Sequence, residues 1–591
     1  MSALTFSDIS GPKYGYDFVV ATTQASINGT MLAFLSALKE PVVNICFVAD
    51  PMGKPVQIDY NLLKQNAHGS DPFAIPANVN VATSQDIKNL VAARFMVGFR
   101  AQLGIPRVQN PSQLPDIVTL GTDTSAVKFN MLCSQFMIVQ LDPGSAYTSP
   151  SWTISSQQAS SPPWVFTSKV DLRLSTIAKG AYTTLPPNIQ KQISNLGPMA
   201  FSIQQLLFDL TNATLESVPT ITGVQSGSFA YSVLEQFFIG SYFTQMQAHG
   251  QPLLGCNIAV SNAPASTLTL SSFNFQVDPY VDPATHQPYP TPTAVQKQMA
   301  TLNYLCAADG NILPPATWFP WNWVDASQIN DHDGAIAINR NTFANYFRNQ
   351  LASYVSSNCF LPHVQVTLSG LNVNYSWSFS PYQAPTVTIP PTGSTVLQFS
   401  YSSSSSDGAG LNWDMGSLQL NNNYTLTIDF VGTTIIVTQH QVVYMRVSSL
   451  GTAGDGNLVD KKIVDTYTLG INANGQLVAS LVSVPTDNSN SPSVTAALNF
   501  FTDFNTISTA VANSVKIVGT KLQDMPINAI QNFVFPGGKT FIFSGVSFSN
   551  YQDLVTFIRY ADPTGPVTSV AAPAVKEIAV PKATVKVGGP A

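Results

Sequence analysis

Charge is what this sequence has least of. Only 10% of its 591 residues are Asp, Glu, Lys or Arg, against about 25% in an average globular protein. The net charge is −6 and no basic patch is present. Nothing stands ready to neutralise phosphates, which excludes nucleic acid as a partner. Long apolar runs are missing as well. No stretch approaches the roughly 18 residues that a membrane-crossing helix needs. The opening MSALTFSDISGPKYGYD has neither a basic n-region nor a continuous apolar h-region. The expectation is a chain made in the cytoplasm without a conventional signal peptide, so that any export uses an unconventional route. Cysteine is scarce: Cys46, Cys133, Cys256, Cys306 and Cys359 are scattered, odd in number and never paired as CxxC. That predicts buried free thiols in place of a disulfide framework.

The sequence also lacks the motifs of common catalysts. No G-x-S-x-G is present for a nucleophile elbow, and no G-x-x-x-x-G-K-[ST] for a phosphate cradle. Gly454 and Gly456 begin a G-x-G-x-x-G, but Val459 stands where its third glycine should be. The reading is a non-enzymatic protein with no cofactor.

What is present is apolar and extended. Hydrophobic residues make up 45% of the chain, enough for a large core, so wholesale disorder is excluded. Abundant Val, Thr, Phe and Tyr with little charge favour β structure. Two stretches organise the rest. In Tyr14 to Leu38, the apolar run Phe18 to Ala21 leads through Thr22 and Thr23, residues suited to an N-cap. Ile27, Met31, Phe34, Leu35 and Leu38 then recur at helical spacing. In Asp333 to Val355, Ala335 to Ile338 lead into Phe343, Phe347, Leu351 and Val355 on one face. Two such strand-to-helix passages predict two related units.

Between them the pattern predicts strands at Val42 to Val48, Val127 to Leu141 and Phe166 to Leu174. It predicts helices at Gln85 to Gly104, Ile189 to Leu196 and Ser232 to His249, and a loop from Ser149 to Pro163. Phe201 to Leu215 fits either type. Asp278 to Pro292, the most proline-dense internal stretch, cannot be regular and marks the boundary. Val364 to Tyr467 reads as alternating strands with turns at Asn421–Asn423 and Gly451–Gly456 and a flexible hairpin loop at Ser402–Gly408. A helix at Ala496 to Leu522, strands at Thr540 to Val546 and Leu554 to Tyr560, and a mobile tail beyond Asp562 complete the chain. The expected division is a first unit at 1–290, a second at 291–565, and a Pro/Ala/Val-rich tail at 566–591. The expected class is α+β and elongated, with curved antiparallel sheet wrapped around long amphipathic helices.

Two clusters carry chemistry. Asp331, His332 and Asp333 could hold a metal or run acid–base chemistry, but adjacent residues rarely converge on one site, and capping of a helix start is favoured. Trp318, Trp321 and Trp323 suit a sugar platform or a membrane anchor, with packing beneath the proline-rich connection favoured. The apolar faces at Ile27, Met31, Phe34 and Leu35, and at Phe343, Phe347 and Leu351, are core by default. They become a ligand wall only if the tube stays open. Such a wall would take a lipid or another hydrophobic small molecule.

YGYDFVVATTQASIN at Tyr14–Asn28, FSIQQLLFDL at Phe201–Leu210, DGAIAINRNTFANYF at Asp333–Phe347 and the closing FVFPGGKTFIFSGVSFSNYQDLVTFIRY together resemble the toxin-cluster branch of the tubular lipid-binding (TULIP) superfamily. That branch includes the OrfX-type and companion proteins encoded beside clostridial neurotoxin genes. The resemblance runs from Tyr14 to about Tyr560, and it is the order of the segments that carries it. It implies two tubular TULIP-like units of highly curved sheet and long helix. It further implies binding of lipid or another hydrophobic ligand, a protein partner from the same gene cluster, peripheral contact with membranes, and no catalysis.

Overall fold

The structure, a computed structural model, describes residues 2–37, 42–107, 114–121, 123, 125–144, 148–158, 162–177, 200–217, 227–235, 253–260, 270–370, 372–381, 383–411, 415–473, 475, 477–490, 533–534 and 540–561. These residues are mostly β, in several antiparallel sheets.

A six-stranded sheet brings strands far apart in sequence together, from Phe18–Thr23 to Leu554–Ala561. Its spatial order is Leu270–Asp278, Thr301–Ala308, Phe18–Thr23, Gly334–Ile338, Leu554–Ala561, Thr540–Phe548. The two middle strands pair antiparallel, with Val20 opposite Ile336 at the centre. Phe18–Thr23, Thr301–Ala308 and Gly334–Ile338 are buried at every position. Both faces of these strands are covered, which is why they read as unbroken apolar runs and not as alternation. Successive residues still point to opposite faces. Phe18, Val20, Ile336 and Ile338 enter the main core, while Val19, Ala21, Ala335 and Ala337 enter a second cluster with Tyr14, Tyr16, Phe319, Trp321 and Trp323. Gly334 fits a tight place in this sheet: a Cβ there would lie 2.0 Å from the Ala21 carbonyl oxygen.

Two further sheets are formed by other parts of the chain. The ten-stranded sheet runs Phe533–Val534, Leu253–Val260, Ala200–Ser217, Val165–Ile177, Ala126–Asp142, Phe95–Leu103, Val43–Ala49, Pro55–Ile58, with Val118–Leu120 and Ser151–Ser156 also paired to Ala126–Asp142. A six-stranded sheet runs Thr386–Thr388, Thr395–Ala409, Gly416–Val431, Thr434–Ser449, Thr452–Ile471, Leu477–Asp487. Its inner strands alternate between buried and part-exposed residues along their length, as expected of a sheet with one face on the core. Leu361–Ser369 and Asn372–Ser380 form a separate hairpin.

Several expectations are corrected. Ser402–Gly408 is no loop: it lies within the strand Thr395–Ala409 and pairs residue by residue with Ser417–Asn423. Asn421–Asn423 is therefore no turn. Asn422 is fully buried, and its side-chain amide donates to the Phe360 carbonyl. Gly454 and Gly456 belong to the strand Thr452–Ile471, whose turn is at Leu450–Gly451. The Gln85 stretch is helical only to Ala92; Phe95–Leu103 is a strand. Ser151–Ser156 is a strand inside the expected loop, and Ala200–Ser217 proves extended. Of the expected helix at Ser232–His249, only residues up to 235 are described, and the helical turn there starts earlier, at Phe229–Val233. The stretches 189–196 and 496–522 and the tail beyond 562 lie outside the described residues.

The two long helices stand where the sequence puts them, at Gln24–Ala37 and Arg340–Asn358. Each follows its central strand with at most one residue between. The second buries Phe343, Ala344, Phe347, Leu351 and Val355 and exposes Asn345, Arg348 and Asn349. The first departs from the expected apolar/polar division. Its polar Gln24, Asn28 and Thr30 are buried along with Ile27 and Met31. The reason is a distant partner: Asn28 exchanges hydrogen bonds of 2.8 and 2.9 Å with the backbone of Val118, and the Gln24 carboxamide oxygen accepts from the Leu120 N–H. These side chains bond to a strand's backbone, so polar residues lie within the core.

Candidate functional site

The apolar candidates come together, but as packed core. Ile27, Met31, Leu35, Phe343, Phe347 and Leu351 are each at most 4% exposed and share one apolar cluster with the sheets. The Phe34 side chain lies outside the described ones. On the second helix the packing is aromatic. Phe343 and Phe347 sit 5.3 and 6.1 Å from Phe430, which stacks on Phe548 at 4.3 Å.

One constant shift along the chain relates the two halves of this region. It carries Asp17 to Asp333, the cap Thr23 to the cap Asn339, and Ser26 to Thr342. It also carries Ile27, Met31 and Leu35 to Phe343, Phe347 and Leu351. The hydrogen bonds repeat with the residues. Because the central strands are antiparallel, each half's aspartate lies beside the start of the other half's helix. Asp17 Oδ1 accepts from Thr342 Oγ1 at 2.6 Å, and Asp333 Oδ1 accepts from Ser26 Oγ at 2.7 Å. The second oxygen of each aspartate accepts a backbone N–H from a strand of the same sheet, Ala308 for Asp17 and Tyr560 for Asp333, both at 2.7 Å. The backbone carbonyls match too: Asp17 O accepts from Asn339 N and Asp333 O from Thr23 N. Each carboxylate thus ties a neighbouring strand to a hydroxyl in the first turn of the opposite helix, where a negative group is favoured. The aspartates were legible only as one half of this pair: Asp333 stood out beside His332, whereas Asp17 had no charged neighbour to mark it.

The clasp predicts unequal losses. Asp17 is 6% exposed and also accepts from the Asn311 side chain; Asp333 is part-exposed. Asp17→Ala leaves a buried N–H and a hydroxyl without an acceptor and should cost about 2–3 kcal/mol in urea denaturation, Asp333→Ala about 1 kcal/mol. Equal losses would mean that burial does not set the strength of the clasp.

The remaining polar candidates are taken up by structure. Asp331 pairs with Arg559, and His332 Nδ1 lies 2.8 Å from Ser544 Oγ with its ring stacked on Phe557. Burial lowers the His332 pKa, followed by the nearby Arg559 charge. Among the described residues no group of His, Cys, Asp and Glu is placed to hold a metal ion. Trp321 and Trp323 are buried against Phe319 at 5.0 and 5.1 Å, and Trp318 is half-buried with Lys13 Nζ over its ring. Burial leaves Trp321 and Trp323 unable to serve as an exposed platform. Cys46, Cys133, Cys306 and Cys359 are free and buried, with thiol pKa values raised by burial.

Two clefts flank the clasps at equivalent places. One of about 370 Å³ lies at Ser26, Gly29, Thr30, Asp333 and Tyr560. The other, of about 560 Å³, lies at Asp17, Asn311, Thr342, Asn345 and Tyr346. The smaller is of mixed character and the larger mainly polar, and neither is lined by the apolar candidates.

No family model matches the sequence, and no curated protein matches it. Among solved structures, P47 from Clostridium botulinum A2 is similar over 92% of this chain and 97% of its own, at 10% identity and a TM-score of 0.38. P47 of Clostridium botulinum E1 is similar over 92% and 98%, at 11% identity and a TM-score of 0.38. A lipopolysaccharide binding protein is similar over 93% and 99%, at 9% identity and a TM-score of 0.28. At these scores the likeness carries no argument about this chain. Among the described residues no helix is long and apolar enough to cross a membrane.

Proposed function

We propose that this chain is a non-enzymatic binding protein that takes a lipid or another hydrophobic ligand between its long helices and its sheets. The carrying observation is the pair of matched apolar helix faces, Ile27, Met31, Leu35 and Phe343, Phe347, Leu351, set in one continuous apolar cluster with the sheets. Burial of a chain there stabilises by about 0.8 kcal/mol per CH₂ and needs no charged contact. The reading has the chain as two TULIP-like units, each a curved sheet around a helix. It favours a junction between Ala308 and Gly334, beyond the position near 290 suggested by proline density, because the Leu270–Asp278 and Thr301–Ala308 hairpin stands beside Phe18–Thr23 just as the last hairpin stands beside Gly334–Ile338. The absence of catalysis is part of the proposal, supported by the structural bonds that occupy Asp331, His332 and Asp333. The test is mass spectrometry of the protein, native and after organic extraction, following incubation with mixed lipids. A stoichiometric apolar molecule supports the carrier; an unchanged apo mass removes it.

One observation favours a second reading, a closed-core protein that binds a protein partner. The edge strand Leu477–Asp487 leaves Val478, Val482 and Val484 44%, 62% and 55% exposed. Such an edge is a template for strand addition. Under this reading the partner is a protein from the same gene cluster, and charges placed at Val482 and Val484 abolish its co-purification while lipid uptake stays absent.

A further inference from the structure

The two clefts beside the aspartate clasps are equivalent in position and different in chemistry. At the smaller one the first helix presents Ala25 and Gly29. The same places on the second helix are Asn341 and Asn345, and one turn further the shift carries Leu32 and Ala33 to Arg348 and Asn349. The clasp therefore functions without these amides, since the first half makes it with none of them. Nor does the rest of the fold use most of them. Asn341 Oδ1 accepts from Arg340, but Asn345, Arg348, Asn349 and Gln350 make no side-chain hydrogen bond or ion pair among the described residues.

Asn341, Asn345 and Asn349 recur every four residues and so form one row along the helix. They stand over a cleft of about 560 Å³, within the range of small-molecule sites. Each carboxamide offers two donors and an acceptor, the complement of a hydroxyl that both donates and accepts. Tyr346 adds a half-buried ring, held by stacking on Phe343 at 6.0 Å. Formal charge at the cleft is mixed, with Asp17 and Asp309 set against Arg348, which disfavours a strongly anionic ligand.

We propose that this cleft binds a neutral glycosyl group, its hydroxyls held by the amide row of the second helix. The group could belong to a free sugar or to a neutral glycolipid headgroup, and the test separates the two. Glucose, galactose, mannose and their disaccharides are titrated calorimetrically into the full-length protein. In parallel, the protein is floated with phosphatidylcholine vesicles, with and without a monogalactosyl diacylglycerol. The comparison variant is Asn345→Ala/Asn349→Ala, whose exposed side chains carry no internal bonds, so its melting temperature should match that of the wild type. Saturable sugar binding weakened at least tenfold in the variant assigns the site to a free sugar. Glycolipid-dependent flotation lost in the variant, without free-sugar binding, assigns it to a headgroup. Binding of neither, or binding that the variant leaves intact, overturns the proposal. An apo result in the lipid-extraction experiment leaves the free-sugar arm untouched.

Discussion

Raising the pH from 4 to 7.5 should lower the stability of this protein by several kcal/mol, and Asp278→Asn should remove about half of that fall. Asp278 and Asp553 are buried carboxyls. Burial raises both from the usual 3.8 to about 7, against the hydrogen bonds that each accepts. Both bind a proton more readily in the folded than in the unfolded chain. The stability this contributes is fully present below about 3.8 and is lost as the pH rises through about 7. A shift of this size is worth on the order of 4 kcal/mol per group. Asp123 and Asp487 titrate with the opposite sign, held down chiefly by Lys169 and Ser489, but they are largely exposed and contribute little.

The two buried carboxyls should respond differently to substitution. Asp278 Oδ1 accepts from the Gln276 carboxamide at 2.7 Å. That carboxamide can turn over and present its oxygen to an introduced amide, while the contacts from Asn303 and the Phe319 N–H are kept. Asp278→Asn is therefore expected to exceed the wild type in stability at pH 7.5 and to match it near pH 4. Asp553 has no such freedom, because Oδ1 accepts from the Arg340 N–H and Oδ2 from the Ile9 N–H. Whichever way an introduced amide turns, its NH₂ faces a fixed backbone donor. Asp553→Asn should destabilise at every pH. Urea midpoints at pH 4, 5.5 and 7.5 read both outcomes. A wild-type stability that rises across this range would show that the donors around these carboxylates outweigh their desolvation.

The strand-to-helix passages were legible because an unbroken apolar run gives way to apolar residues at helical spacing. Phe18–Thr23 into Gln24–Ala37, and Gly334–Ile338 into Arg340–Asn358, match the expected places closely. Ser402–Gly408 and Asn421–Asn423 were misread because Ser, Asn and Gly signal turns locally, whereas here pairing decides. Ser402 Oγ donates across the ladder to Asn423, and Ser403 Oγ to the Phe360 carbonyl. Asn422 is buried because a partner waits for it, and no local pattern encodes a partner that lies 62 residues away. The same limit hid the clasp. Asp17 and Thr342 meet only because two strands far apart in sequence lie antiparallel, a fact of topology and not of spacing. A comparison of the chain with itself, under the shift that carries Asp17 to Asp333, holds the only sequence-level trace of it.

Phe347→Ala should cost about 3–5 kcal/mol, the usual loss when a buried aromatic ring is removed from a core that cannot collapse around the gap. Phe347 is fully buried between Phe343 at 4.9 Å and Phe430 at 6.1 Å, and its neighbours are rings held by their own stacking. Met31→Ala, at the equivalent place on the first helix, should cost about 2–5 kcal/mol, and nearer the low end because Met is the smaller and more adaptable occupant. These variants also separate the two readings of the protein. In a carrier, the helix-to-sheet seam of the wild type already opens to an apolar chain. A fatty acid at 100 times its dissociation constant then stabilises the wild type by about 2.7 kcal/mol. In a closed-core protein the wild type offers no such space, and only the cavity left by Phe347→Ala admits an apolar probe such as benzene. Melting temperatures of the wild type and Phe347→Ala, each with benzene and with a long-chain fatty acid, give four numbers. A fatty-acid shift in the wild type places a ligand in the seam. A benzene shift confined to the variant, with no response of the wild type to either compound, means that the side chains of the two helices fill the space between the sheets completely.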